Sequence, residues 1–142
     1  MAVVFPETKT IYSVKAILAL DKCNDLALIK IDTQGKKLKS IPLGNSDEIE
    51  IGDKIATIGT PKFFANSFFD GLVNGVRIYK DCPYELIQIS VPSDSGNSGG
   101  PIFNEHGEAV AIYKSSANDI FHSPIRAINF AVPVNFLKEL MG

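Results

Sequence analysis

Residues 94–101 read Asp94-Ser95-Gly96-Asn97-Ser98-Gly99-Gly100-Pro101, immediately ahead of the apolar pair Ile102-Phe103. Three glycines around one serine mark a backbone that bends sharply and is approached closely. A loop bent in this way turns successive N–H groups into one concavity, and such a nest stabilises an anion. A serine hydroxyl at its rim is where an acyl-transfer nucleophile would sit, with the N–H groups of Ser98 and Gly96 facing the developing oxyanion. The competing reading is an ordinary Gly/Ser hairpin loop. A bare Gly-x-Ser-x-Gly would favour that reading, but Gly96–Pro101 is longer and more specific.

Outward from this loop, nearly every apolar segment has period two or is a short continuous run. From Thr10 to Leu20, Tyr12, Val14, Ala16, Leu18 and Leu20 fall on one face and Ser13 and Lys15 on the other, the pattern of a half-buried strand. Leu26–Ile31 is a second strand, followed by a turn at 33–37 whose Lys36 and Lys37, with Lys39, form a solvated edge. Further strands are expected at 53–59, 68–79, 84–91, 99–104, 108–114 and 127–132, separated by turn formers such as Gly44-Asn45-Ser46-Asp47 and Asn104-Glu105-His106-Gly107. Only the end is helical: past Pro133, Phe136, Leu137, Leu140 and Met141 recur at helical spacing, and proline suits a first turn. Many short strands and one terminal helix predict an all-β antiparallel barrel or sandwich. The boundary is expected in 42–52, a turn-rich acidic stretch whose acids read as solvated loop.

Composition narrows the function. The 142 residues are 45% hydrophobic and 21% charged, enough for one compact domain or two small lobes. With mean hydropathy +0.10 and no apolar run near the ~18–20 residues a helical span needs, disorder and membrane insertion are excluded. Fourteen Lys and Arg against 16 Asp and Glu, with no basic stripe, leave little to hold a phosphate backbone, so no nucleic-acid partner is expected. Cys23 and Cys82 lack metal-ligand spacing, and two free thiols are expected, with one disulfide as the alternative. No metal and no cofactor are called for. The N-terminus, Met-Ala-Val-Val-Phe-Pro-Glu, is not a signal peptide.

The serine loop resembles that of the trypsin-like serine proteases, and within them the Deg/HtrA-type branch. Asn24-Asp25-Leu26-Ala27-Leu28-Ile29-Lys30-Ile31 is similar to that family's aspartate motif. Ile41–Ser46 and Ile51–Pro61 resemble its interbarrel linker and the opening strand of its second barrel, Gly71–Gly75 the next strand, and Asn129-Phe130-Ala131-Val132-Pro133 the closing strand before a C-terminal helix. The order and spacing agree over roughly residues 10–140. The resemblance implies a chymotrypsin-like fold of two antiparallel β-barrels, with residues 1–45 supplying a partial first barrel of about three strands and residues 46–142 a complete second barrel with the nucleophile loop and terminal helix.

By the same resemblance Ser98 is the nucleophile, Asp25 orients a catalytic histidine, and the backbone of Gly96 and Ser98 forms the oxyanion hole. Asn97 stands where trypsin itself carries an aspartate that pairs with a freed N-terminus; a neutral residue makes no such pair. The first substrate pocket is framed by Pro92 at its base, by Lys114, Ser115 and Ser116 on one wall and by Asn129 on the other. Asn129 replaces a usual glycine, which predicts a shallow pocket for small or medium apolar side chains. The substrate class implied is a peptide or unfolded protein, paired in extended form with 114–116.

A serine triad also needs a base. The family's histidine lies N-terminal to the aspartate, and this chain begins about where the family's fourth strand would. His106 sits on a hairpin ~17 Å from Ser98, counting five strand residues. His122 lies in a loop that the resemblance places on the pocket wall and is the only geometric candidate. The 142 residues are therefore expected to be inactive alone, either as part of a serine endopeptidase catalytic domain or as a non-catalytic module that binds extended peptides. A homo-oligomer through residues 1–40 is expected from the open first barrel. The family is often exported, but the sequence leaves the compartment open, and no PDZ-like segment is expected after Gly142. Phe63, Phe64, Phe68 and Phe69 crowd one loop and strand, with Phe68 and Phe69 expected in the core.

Overall fold

The computed structural model describes residues 1–60, 66–79, 84–92, 96–116 and 128–142. Nine strands and one helix account for most of them: β1 (Ala2–Phe5), β2 (Thr10–Asp21), β3 (Leu26–Ile31), β4 (Lys54–Gly59), β5 (Ser67–Tyr79), β6 (Tyr84–Ile89), β7 (Pro101–Phe103), β8 (Ala109–Ser116), β9 (Asn129–Pro133) and α1 (Val134–Met141). The first three strands form an antiparallel sheet in the order β1-β2-β3, and the other six close into a barrel in the order β4-β5-β6-β9-β8-β7. The chain is thus all-β but for its terminal helix, with one closed barrel and one open sheet.

The barrel closes because alternate residues of its strands are apolar and point inward. In β4, Ile55 and Thr57 are buried while Ile58 faces outward. Ile55, Val73, Ile87, Ile89, Val91, Ile102, Val110, Ala111, Tyr113 and Ala131 form the interior, with Phe69 half-buried against it. Phe68 points the other way and is 67% exposed, contrary to the expectation that it joins the core. Strand alternation decides this, since neighbouring residues cannot share a face. Phe63 and Phe64 lie outside the described residues.

The outer face of β9 carries Phe130 and Val132, which pack with Leu26 and Leu86 under Phe136, Leu137 and Leu140 of α1. Met141 is exposed, so three of the four helical positions face inward. Pro133 closes β9 and precedes the helix rather than opening its first turn. The 42–52 linker is tied down at two points. Gly44 N donates to Ala109 O and Ala109 N to Pro42 O, both at 2.9 Å. A 3₁₀ turn at Ser46–Glu48 is linked to the helix through Asn135 Nδ2 to Asn45 Oδ1 at 2.9 Å and Asn135 N to Ser46 Oγ at 3.1 Å.

In β2 the sequence pattern holds only at its start. Tyr12 is buried and Val14 half-buried, but the pairing with β3 shifts register between Val14 and Ala16 and again between Ile17 and Ala19. Past the first shift neither face of the strand is buried, since Ile17 is 52% exposed as well. Leu18 and Leu20, expected to share the inner face with Tyr12, are each 57% exposed.

Candidate active site

Ser98 sits at the tip of a tight reversal. Gly100 N donates to Asn97 O at 2.9 Å, closing a four-residue turn with Ser98 and Gly99 at its centre. Gly99 has φ +85°, the value the third residue of a type II turn requires, and Gly96 has φ +115°. These two positions need glycine for their backbone angles; Gly100 needs it for close approach, because a Cβ there would stand 3.0 Å from Asn97 O. The turn is bolted to β8, with Gly99 N to Tyr113 O and Tyr113 N to Gly100 O both at 2.8 Å. Ser98 and Gly96 are exposed, and their N–H groups donate to no group of the described residues. An exposed hydroxyl and two N–H groups without a partner among the described residues, on a tight turn, can accept an acyl group and its oxyanion.

The strand end leading into this loop is held from both sides. Ser90 N donates to Leu72 O at 3.0 Å and Ser90 Oγ accepts from Leu72 N at 2.9 Å. A Cβ on Gly71 would stand 2.7 Å from Val91 N, so β5 lies hard against this segment. Opposite, Asn129 Nδ2 donates to Val91 O at 2.6 Å and Asn97 Nδ2 to Pro92 O at 3.3 Å. Both asparagines are 1% exposed, and neither Oδ1 has a hydrogen-bond partner among the described residues. Pro92 is exposed beside them and Lys114 half-buried on β8. For Ser115 and Ser116 the strand backbone is described, Ser116 pairing with Asn129.

Asp25 lies on the β2–β3 turn, exposed, with φ +58°, a left-handed conformation that aspartate tolerates better than most residues. The neighbouring Leu26 is buried among Leu86 and Phe130, and this cluster anchors the Asp25 turn to the barrel where β6 and β9 run side by side. The turn is also braced by Asp21, which accepts from Asn24 N at 3.0 Å and Asn24 Nδ2 at 2.5 Å. Those two bonds, the side-chain one first, hold the Asp21 carboxyl below the usual range against a partial desolvation that raises it; the Cys23 N–H and the Lys114 charge add smaller pulls downward. Sequence reading quoted Asn24 in the aspartate motif but missed its pairing with Asp21, although an Asp three residues before an Asn in a turn is a recognisable local pairing.

His106 occupies the β7–β8 turn, its N–H donating to Asn104 Oδ1 at 3.0 Å. It is at the far end of β7 from the Ser98 turn. His122 lies outside the described residues. Cys23 is disulfide-bonded, against the expectation of a free thiol, while Cys82 lies outside the described residues. Among the described residues no group of three His, Cys, Asp or Glu side chains is arranged to hold a metal.

The family model of the trypsin-like peptidase domain matches residues 3–112. Protease Do-like 5, chloroplastic, of Arabidopsis thaliana is 32% identical over 124 residues, 84% of this chain and 38% of that protein. The probable periplasmic serine endoprotease DegP-like of Pseudomonas putida (strain W619) is 34% identical over 123 residues, 84% of this chain and 24% of that protein. The chain therefore spans about two-fifths or less of the length of these curated relatives. Among solved structures, the crystal structure of Deg5 superposes with a TM-score of 0.76 at 28% identity, covering 97% of this chain and 64% of that one. The HtrA-type protease AlgW with decapeptide superposes with a TM-score of 0.83 at 26% identity, covering 99% and 42%. A barrel with a glycine-flanked serine turn, an aspartate turn packed against its side, and a family match over most of the chain have one common source: the chain belongs to the trypsin-like peptidase domain family, in its Deg/HtrA-type branch.

Proposed function

We propose that these residues form part of a serine endopeptidase catalytic domain that cleaves peptide bonds through an acyl-enzyme on Ser98. The observation that carries this reading is the Ser98 turn, which exposes the hydroxyl and leaves the N–H groups of Gly96 and Ser98 unused among the described residues. In the reaction a base removes the Ser98 proton, Oγ adds to the scissile carbonyl, and the two N–H groups receive the oxyanion. Asp25 orients the imidazole that serves as base. Pro92, Lys114, Ser115, Ser116 and Asn129 shape the pocket for the side chain before the scissile bond. The bulk of Asn129 favours small or medium apolar side chains, and β8 offers its backbone to an extended peptide. We assign the open sheet and linker, residues 1–45, and the barrel with its helix, residues 46–142, to two structural units. A peptide or unfolded protein is the substrate.

The same open sheet supports a homo-oligomer through residues 1–40. Val4, Ile11, Ile17, Leu18 and Leu20 are all more than half exposed there, and a second copy about a two-fold axis would cover them.

Within the 142 residues the base is the weak point. His106 is at the wrong end of β7, so peptidase activity of this chain alone is expected to be unmeasurable on casein or apolar peptides, a loss on the order of 10⁴–10⁶ in turnover. His106's position also favours a second reading, a module that binds extended peptides without cutting them. Fluorophosphonate labelling, with the modified residue mapped by mass spectrometry, separates the two. Slow labelling confined to Ser98 and abolished by Ser98→Ala supports the endopeptidase reading. Peptide binding by fluorescence anisotropy with no labelling of Ser98 supports the binding module. Rapid stoichiometric labelling would place a base within these residues, with His122 the first to substitute.

A further inference from the structure

We propose that Asn97 is a positioning residue, whose buried amide holds the Ser98 turn and the Pro92 strand end in a single arrangement. The inference rests on Ser98 being the nucleophile and adds the part that fixes it. Asn97 is 1% exposed and works through both its side chain and its main chain: Nδ2 donates to Pro92 O at 3.3 Å, and its carbonyl accepts from Gly100 N at 2.9 Å. The residue thus links the segment entering the loop to the turn that carries Ser98, across residues 93–95.

The room for its side chain comes from Gly59, the last residue of β4, where any Cβ would collide with Asn97 Oδ1. That oxygen has no hydrogen-bond donor among the described residues. An unpartnered buried acceptor is unfavourable, so the position is not occupied by asparagine for its oxygen. An apolar residue would remove the orphan oxygen and leave Pro92 O without this donor. A carboxylate would bring a charge and no donor. Only a short neutral amide supplies an N–H at this place.

The described residues in contact with Asn97 carry no charge: Gly59 lies against its side chain, Pro92 O takes its amide and Gly100 N meets its carbonyl. This makes Asn97→Asp a reversible probe. While protonated, the introduced carboxyl donates to Pro92 O as the amide does. Once ionised it cannot, and with no cation among those residues its ionisation is deferred well above the ordinary carboxylate range.

The test is amide hydrogen exchange by NMR on the 142-residue chain, expressed as protection factors. In the wild type, Gly99 and Gly100 should show protection that does not change between about pH 5 and 8. In Asn97→Asp it should equal the wild type at the acid end and fall by about 10- to 100-fold as pH rises, the loss of one buried hydrogen bond. In Asn97→Ala it should be low throughout, while Ile87 in the barrel keeps its protection in both variants. Wild-type protection of Gly99 and Gly100 in both variants at every pH would overturn the proposal. So would an equal loss at Ile87, which would make Asn97 a general support of the barrel. Peptide binding by the same proteins keeps the two readings apart. A wild type that binds no peptide, with Gly99 and Gly100 responding as stated, removes the functional reading and leaves the positioning role. A wild type that binds peptide while those amides do not respond does the reverse.

Discussion

The side-chain amide of Asn129 donates to the carbonyl of Val91 at 2.6 Å, joining the first residue of β9 to the strand end that leads into the Ser98 turn. Both residues are buried, so the carbonyl has little water to turn to when the amide is removed. Asn129→Ala is expected to lower stability by about 1–3 kcal/mol through the unsatisfied carbonyl. Urea unfolding gives the value. A midpoint within error of the wild type would mean that the bond is replaced by water and that the strand end at Val91 is not braced by Asn129.

Gly71 and Gly99 make a paired comparison. A Cβ on Gly71 would meet Val91 N at 2.7 Å and the Ser90 carbonyl carbon at 3.0 Å, both main-chain atoms that cannot step aside without moving the strand. A Cβ on Gly99 meets nothing within 4 Å, and its penalty is only that of φ +85°. Gly71→Ala is expected to be destabilising by about 1–3 kcal/mol through overpacking. Gly99→Ala should stay near the lower end, about 1–2 kcal/mol for a left-handed residue. Thermal unfolding of the two variants side by side checks the order, and a larger loss at Gly99 would contradict it.

Asp21 carries a pH dependence whose sign follows from its hydrogen bonds with Asn24. Its folded pKa is depressed, so the ionised carboxyl contributes stability that is present above the unfolded value, about 3.9, and is lost as pH falls through the folded value. Asp32 acts with the same sign, through the Gln34 N–H first and then Lys15. Asp21→Ala is expected to be less stable than the wild type at about pH 6, with the gap closing by about pH 2.5. Urea midpoints at the two pH values decide it. A gap of constant size would show that the side chain acts by packing and not by charge.

The exposed apolar residues of the β1-β2-β3 sheet predict self-association. Static light scattering at micromolar concentration should give twice 15.4 kDa or more. Leu18→Lys together with Leu20→Lys should return a monomer, because two charges cannot be buried in such a contact without partners. A wild-type monomer at the same concentration would refute the two-fold arrangement.

The sequence by itself determined the local structure. Alternation in 54–59, glycine at 96 and 99 around Ser98, and the helical spacing after Pro133 all concern neighbours a few residues apart, where chain geometry dictates which side chains share a face. The glycine-rich loop and the aspartate motif were legible for the same reason, since turns carry their chemistry in adjacent residues. Contacts between distant segments were decided only by the tertiary structure. The exposure of Leu18 and Leu20 goes with an open three-stranded sheet in which β2 pairs with β3 in a shifting register, and β9 takes its place between β6 and β8. Asn97 and Asn129, two polar residues that composition would leave at the surface, are buried because carbonyls of Pro92 and Val91 stand where their amides end. A buried polar group is stable only beside its partner, and no periodicity in the sequence names a partner 38 residues away.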